Sequence, residues 1–466
     1  MPQPDEFPAA QPDESRDAHA DESPGAHTDY SAGAHADESR DARADELPAL
    51  LDDCVHCGFC LPTCPTYVLW GEEMDSPRGR IHLMAQHQEG APLDDAMVQH
   101  FDACLGCMAC VTSCPSGVRY DRLIEITRAE VEAEHPRSLP ERAVREAIFR
   151  LFPYPGRLRA LRGPLRAYQR SGLPALVRRS GVLERLSPTL AAMERLAPPT
   201  RKAPRLPERV AARGGRRATV GMLTGCVQRE FFPGVNAATA RVLALEGCDV
   251  LIPRRQGCCG ALSLHSGRAA EARAFARRTV ETFEGVDVIV VNSAGCGSAM
   301  KEYETLLADD PAWAARARTL SAKTRDLAEY LAELGPRAER HPLPVTVAYH
   351  DACHLAHAQG VRSQPRALLA GIPGMDVREI ADPEICCGSA GTYNLLQPEA
   401  AADLGDRKAA TVAATGADLL VAANPGCSLQ IAQALERRGT PLPVAHTAEV
   451  LDASLRGRPA SSLLTR

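Results

Sequence analysis

From Ala218 onward, apolar residues fall in short, unbroken runs separated by segments with helical spacing. The runs ATVGML, DVLI, VDVIVV, VTVAYH, MDVREI and ADLLVAA are too short for helices and too continuous for half-exposed strands. They suit strands buried on both faces of a parallel sheet. Between them, NAATARVLALEG, RALLAGI and DRKAATVAATG carry the spacing of amphipathic helices. The alternation occurs twice, over residues 218–335 and 343–457, so it predicts a duplicated α/β unit.

Upstream the pattern changes. Residues 47–130 carry helical spacing in SPRGRIHLMAQH and DDAMVQHFDAC and predict a small α-helical domain. Residues 131–217 read as a proline-punctuated helical linker, with helical patterns in ERAVREAIFRLF and ALVRRSGVLERL. Residues 1–46 have almost nothing apolar to bury; they end in four octads, SRDAHADE, SPGAHTDY, SAGAHADE and SRDARADE. That composition predicts a disordered acidic tail, with His19, His27 and His35 as weak metal binders at most.

Charge modifies the picture locally. The net charge of −6 gives no reason to expect nucleic acid. Between His135 and Arg217, however, there are twenty Arg/Lys against five Glu, which would let the linker dock on an acidic partner or an anionic membrane surface. The first forty residues lack the apolar core of a secretory signal, and no apolar run is long enough to span a bilayer. The expected location is the cytoplasm, with peripheral contact at the inner face of the membrane left open.

Seventeen cysteines are too many for a reducing compartment unless metal or redox chemistry uses them. Eight stand in two identical grids, C-x2-C-x2-C-x3-C-P. Three thiols at intervals of three reach three corners of one iron–sulfur cube, and the fourth leads the chain to the other cluster. The spacing therefore assigns Cys54, Cys57, Cys60 and Cys114 to a first [4Fe-4S] cluster. It assigns Cys104, Cys107, Cys110 and Cys64 to a second. Zinc would need only paired cysteines and would not explain the third thiol, the longer step or the proline.

A second cysteine pattern lies in the duplicated unit. Cys226, Cys258, Cys259 and Cys296 recur as Cys353, Cys386, Cys387 and Cys427, each just after an expected strand. Groups at the carboxyl ends of parallel strands gather in one crevice. These eight residues are candidates for an additional redox or metal site: a further iron–sulfur centre, a redox-active thiol pair, or cysteines that merely pack. HDACHLAH adds His350, Asp351, His354 and His357 near Cys353, and a helix starting that early would put its three histidines on one face; a mixed Cys/His metal site is one reading, and polar residues at a strand end near a helix start the more ordinary one. Cys248 has no counterpart in the second copy and reads as a small buried hydrophobe. No G-x-G-x-x-G follows a strand and no P-loop is present, so the two-electron centre belongs to a partner, in all expectation a flavoprotein.

The spread of the two grids resembles the helical ferredoxin domain of succinate dehydrogenase iron–sulfur subunits. The C-terminal half resembles the CCG-repeat domain of heterodisulfide reductase, although the closing C-x-x-C of that family is reduced to one cysteine in GCGSA and GCSLQ. With CVHCGFC, SPRGRI, CPSGVRY, NAATARVL, CCGSAGTY and AN-x-GC in this order, the chain over residues 47–455 resembles the iron–sulfur subunits of bacterial glycolate oxidase. That resemblance implies partner subunits containing FAD, which oxidise glycolate to glyoxylate, and electron flow through this chain to a quinone or other acceptor. No catalytic residue is then expected here. Other readings are the same role for a lactate or glycerol 3-phosphate dehydrogenase, or a thiol/disulfide oxidoreductase using the CCG cysteines. A non-enzymatic iron–sulfur sensor is disfavoured by the lack of any nucleic-acid-binding motif.

Overall fold

Ser76 sits in extended backbone and its Oγ accepts from the Gly79 N–H at 3.0 Å, so the helix Pro77–Gln88 starts where proline and a cap coincide. Asp94 does the same for Asp95–Ala103 through the Met97 N–H at 2.9 Å. With Tyr120–Glu134 these helices bury Ile81, Met84, Phe101, Leu123, Ile124 and Ile126 in one core. The computed structural model describes residues 46–200 and 205–464; the octads with His19, His27 and His35 lie outside them.

The basic stretch forms helices Leu139–Leu151, Pro155–Arg170, Leu173–Ser180, Val182–Leu186 and Pro188–Arg195. Part of its charge is used internally. Arg137 reaches Asp102 at 2.7 Å, Arg159 reaches the buried Glu230 at 2.9 Å, and Arg178 reaches Glu194 at 3.0 Å. Leu176 and Leu186 remain well exposed. Among the described residues no helix is long and apolar enough to cross a membrane.

Two sheets follow. Strands β1 (Arg209–Val210), β2 (Ala218–Met222), β3 (Cys248–Leu251), β4 (Val288–Val291) and β5 (Thr324–Asp326) lie in the order β1-β3-β2-β4-β5. Strands β6 (Val345–His350), β7 (Met375–Glu379), β8 (Leu419–Ala422) and β9 (Val444–His446) lie in the order β7-β6-β8-β9. Every pairing is parallel except that of β1 with β3. Without β1 the two orders are the same, as a duplicated unit requires. The register centres on Val220, opposite Val250 and Val288, and on Val347, opposite Val377 and Leu419.

The structure adds three strands to the sequence reading. β1 draws two residues of the expected linker onto the edge of the first sheet. β5 and β9 each lead into a helix closed by a capping box, Asp326 with Glu329 and His446 with Glu449. The last of these helices, Thr447–Leu455, packs on Pro233–Leu245 of the first unit, where Arg241 clamps Asp452 at 2.8 and 2.7 Å. The sheets therefore share one core, with Val220, Val250, Val347, Leu419 and Leu451 in a single buried cluster. Cys248 lies in it, fully buried.

Candidate metal centres

Both grids use one loop conformation. His56 and Gly58 in the first, and Gly106 and Met108 in the second, have positive φ of 54°, 83°, 61° and 62°. Two left-handed residues at the same two places curl the chain so that three thiols turn towards a common point. Cys54, Cys57, Cys60 and Cys114 line one cavity with Arg78, Pro115 and Tyr120. Cys57 is exposed, and Val55 and Phe59 beside it are 67 % and 66 % exposed, so this site borders the surface. Burial pushes the Cys60 thiol up to about 11, and Cys54 is raised by burial with Cys114 and Cys57 adding to it.

The other four thiols, of Cys64, Cys104, Cys107 and Cys110, are all buried. Cys110 also lines the cavity of the first set, so it stands on the wall between the two sites. Next to them is Arg80, whose side chain is sealed from solvent. Its guanidinium donates to the His100 carbonyl at 2.6 Å, to Thr66 Oγ1 at 3.1 Å and to Asp75 Oδ1 at 3.3 Å, and reaches Cys64 Sγ at 4.0 Å. Burial raises the Cys104 thiol, but the Arg80 and Arg128 guanidiniums outweigh it and hold the group below its ordinary value. Tyr120 Oη at 3.7 Å and the Gly106 N–H at 3.3 Å also donate to Cys104 Sγ. Burial, with neighbouring thiols adding to it, pushes Cys107 and Cys110 well up, so the guanidiniums favour the charged form at Cys104 in particular.

The inner site also faces the second sheet unit. Leu105, Cys107 and Ala109 pack in one buried cluster with Cys386, Tyr393, Ala401 and Leu404, and Cys353 joins the edge. Thr112 Oγ1 lies 2.8 Å from His357 Nδ1.

In each sheet unit the cysteines follow the carboxyl ends of three strands. Cys226, Cys258, Cys259 and Cys296 adjoin in series behind β2, β3 and β4. Cys353, Cys386, Cys387 and Cys427 repeat the series behind β6, β7 and β8. The glycine after each cysteine pair has φ of 83° (Gly260) and 86° (Gly388) and lets the pair press on the next helix. A Cβ on Gly388 would stand 2.5 Å from the Ala401 carbonyl oxygen. The two series meet through His265 and His354.

The histidines correct one expectation. The helix after β6 does not begin early enough to carry all three: His350 is the last residue of β6, and His354–Ala358 form a π-helical turn. Their roles diverge accordingly. His350 offers a ring nitrogen that lies, with the thiols of Cys387 and Cys427, in a group whose atoms are all within 4.8 Å of one another. His354 Nδ1 is 3.6 Å from Cys353 Sγ, and His357 Nδ1 accepts from Arg362 at 2.8 Å. Asp351 is turned to Arg366, at 2.6 Å.

Sequence reasoning missed Arg80, Glu125, His265, Glu302 and Lys408. Only Arg80 left a trace, as a charged residue on the apolar stripe of a short helix. None of the described cysteines is disulfide-bonded, and their donor sets fit thiolate-ligated metal clusters.

Eight thiols in a helical region, followed by two largely parallel sheets with cysteines at the strand ends, define an iron–sulfur protein with duplicated cysteine-rich domains. The comparisons agree: residues 50–118 match the 4Fe-4S dicluster domain and residues 220–301 and 347–432 the cysteine-rich domain. Residues 140–197 match the linker region of the glycolate oxidase iron-sulfur subunit. The probable glycolate oxidase iron-sulfur subunit of Bacillus subtilis is 40 % identical over 83 % of this chain and 89 % of its own length. The glycolate oxidase iron-sulfur subunit of Escherichia coli is 36 % identical over 84 % of this chain and 91 % of its own. The chain belongs to the family of glycolate oxidase iron–sulfur subunits. Lactate utilization protein A of Halalkalibacterium halodurans is 33 % identical over 51 % of this chain and 98 % of its own length. A hypothetical protein from Helicobacter pylori shares the fold, with a TM-score of 0.51 at 9 % identity over 88 % of this chain and 72 % of that one.

Proposed function

We propose that this chain is the electron-transfer subunit of a flavin-dependent glycolate dehydrogenase. In this reading glycolate loses two electrons and two protons to become glyoxylate at an FAD on a partner subunit. The electrons then pass through this chain to a quinone or another acceptor. Cys54, Cys57, Cys60 and Cys114 would hold an outer [4Fe-4S] cluster, and Cys104, Cys107, Cys110 and Cys64 an inner one. Such clusters supply reversible one-electron transfer at a potential set by charge, hydrogen bonds and burial. Arg80, Tyr120 and the Gly106 N–H tune the inner site, while exposed Cys57 brings the outer one to the surface where a partner can reach it.

The observation that supports the reading is that Cys107 and Cys386 share one buried cluster, with Cys353 packed at its edge, so the inner grid adjoins the second sheet unit. A relay needs that continuity, whereas a catalyst that used the CCG cysteines alone would not. The second quartet is accordingly the proposed seat of a third centre. The match to lactate utilization protein A keeps lactate in the test as a competing substrate.

The test is an anaerobic titration of the chain purified with its own partners, followed at the visible iron–sulfur absorbance. Glycolate should bleach it, with D-lactate and glycerol 3-phosphate far less effective. Co-purified flavin without bleaching by glycolate would overturn the substrate, and no flavin at all would overturn the subunit role.

A further inference from the structure

The two cysteine quartets are equivalent in sequence but not in surroundings. The residue three before the first cysteine is Leu223 in one copy and His350 in the other. Leu223 is buried in an apolar cluster with Cys259, Leu264, Ile289 and Val291. His350, at the corresponding strand end, is 2 % exposed, and its Nε2 has no hydrogen-bond partner. A buried imidazole nitrogen without a partner forgoes its hydration for nothing in return, so something normally satisfies it.

The groups beside it are thiols. Cys387 and Cys427, both buried, complete the group whose atoms lie within 4.8 Å of one another. Lys408 is itself buried and lies near Cys386 and Cys387. Asn424 Nδ2 donates to Cys427 Sγ at 3.4 Å and holds that sulfur in place.

We infer that the second quartet is a mixed thiolate–imidazole metal centre in which a ring nitrogen of His350 joins Cys387 and Cys427, and that the first quartet is not. This rests on the reading that the second quartet seats a third centre, and adds its ligand and its kind. Two sulfurs and a neutral nitrogen suit a borderline transition metal, either iron of an iron–sulfur centre or a single zinc ion. On iron, replacing a thiolate by a neutral imidazole raises the potential. It would make the second sheet unit the place where electrons from the inner grid come to rest. Cys353 and Cys386, on the side of Cys107, remain the face towards the relay.

The experiment uses the purified complex, with histidine labelled by nitrogen-15. Electron–nuclear double resonance of the reduced protein reads nitrogen on iron, and X-ray absorption at the zinc edge reads nitrogen on zinc. Wild type should show a directly bound histidine nitrogen on one of these metals. His350→Leu, which copies the first repeat, should lose it while both ferredoxin-type signals persist. A metal that Cys427→Ser removes but that shows sulfur donors only in wild type would overturn the inference, as would a nitrogen signal that survives His350→Leu. If neither Cys427→Ser nor Cys387→Ser removes any metal, the third centre itself falls. If His350→Leu does not fold, His350→Gln takes its place, and sulfur donors only in the wild-type spectra still overturn the inference.

Discussion

The rings of His265 and His354 stand 4.9 Å apart at 41°, one from each half of the duplicated unit. His265 is held on its other side by Glu125, whose Oε1 is 3.0 Å from Nδ1 and which comes from the helical region. One imidazole pair thus joins all three parts of the chain, beside Cys353 and away from water. Burial works against protonation of His265, but the Glu125 carboxylate outweighs it and raises the group.

The same junction sets a pH dependence. Burial pushes the Glu302 carboxyl up to about 8, with Glu125 adding to the shift. An unfolded glutamate titrates near ~4.3. The folded chain therefore keeps a proton that the unfolded chain has shed. The stability so contributed is full below ~4.3 and is lost as pH rises through about 8. Glu302→Gln should flatten that decline, so that its thermal midpoint falls several degrees less than that of wild type between pH 5 and pH 8.

The buried guanidinium of Arg80 offsets the charge of Asp75 and of the inner thiolates. Arg80→Met should cost about 3–5 kcal/mol, because it leaves charge buried without a partner. Arg78→Met, which loses a half-exposed pair with Glu73 and a hydrogen bond to the His56 carbonyl at the outer site, should cost less, about 1–2 kcal/mol. Denaturant midpoints followed at the iron–sulfur absorbance would compare them.

Iron should leave in two phases. Cys57 is exposed, whereas Cys64, Cys104, Cys107 and Cys110 are all buried. Against an iron chelator under reducing conditions, an amount near that of one four-iron cluster should come off fast, and the rest far more slowly. A single phase would contradict the outer and inner assignment. Cys114→Ser should abolish the fast phase and leave the slow one.

The glycines after the cysteine pairs should respond unequally. Gly388→Ala meets the Ala401 carbonyl oxygen at 2.5 Å as well as the left-handed backbone, whereas Gly260→Ala meets its neighbour, Ala272, at 3.1 Å. The first should cost at least about 2 kcal/mol and more than the second. Thermal midpoints of the two variants give the order.

Much of this was legible because it is local. A cluster loop is written in seven consecutive residues, and buried parallel strands in runs such as VTVAYH. β5 and β9 were not legible, since three residues such as Thr324–Asp326 become a strand only through distant pairing. Nor was the meeting of Cys107 with Cys386, or of Glu125 with His265, because no spacing rule joins residues so far apart. Whether the histidines of HDACHLAH share one face turns on where β6 ends, which the sequence does not mark. The linker arginines looked unpaired for the same reason: Glu230, which takes Arg159, lies in the first sheet unit.

The cover over Cys107 has a consequence for how the protein is made. On a growing chain the thiols of the inner grid leave the ribosome early, while Cys386, Tyr393 and Leu404, which close over them, are still untranslated. Until then the grid stands open to whatever delivers iron and sulfide. Completion of the second sheet unit shuts that window, so a ribosome that runs ahead of cluster supply would seal an empty socket.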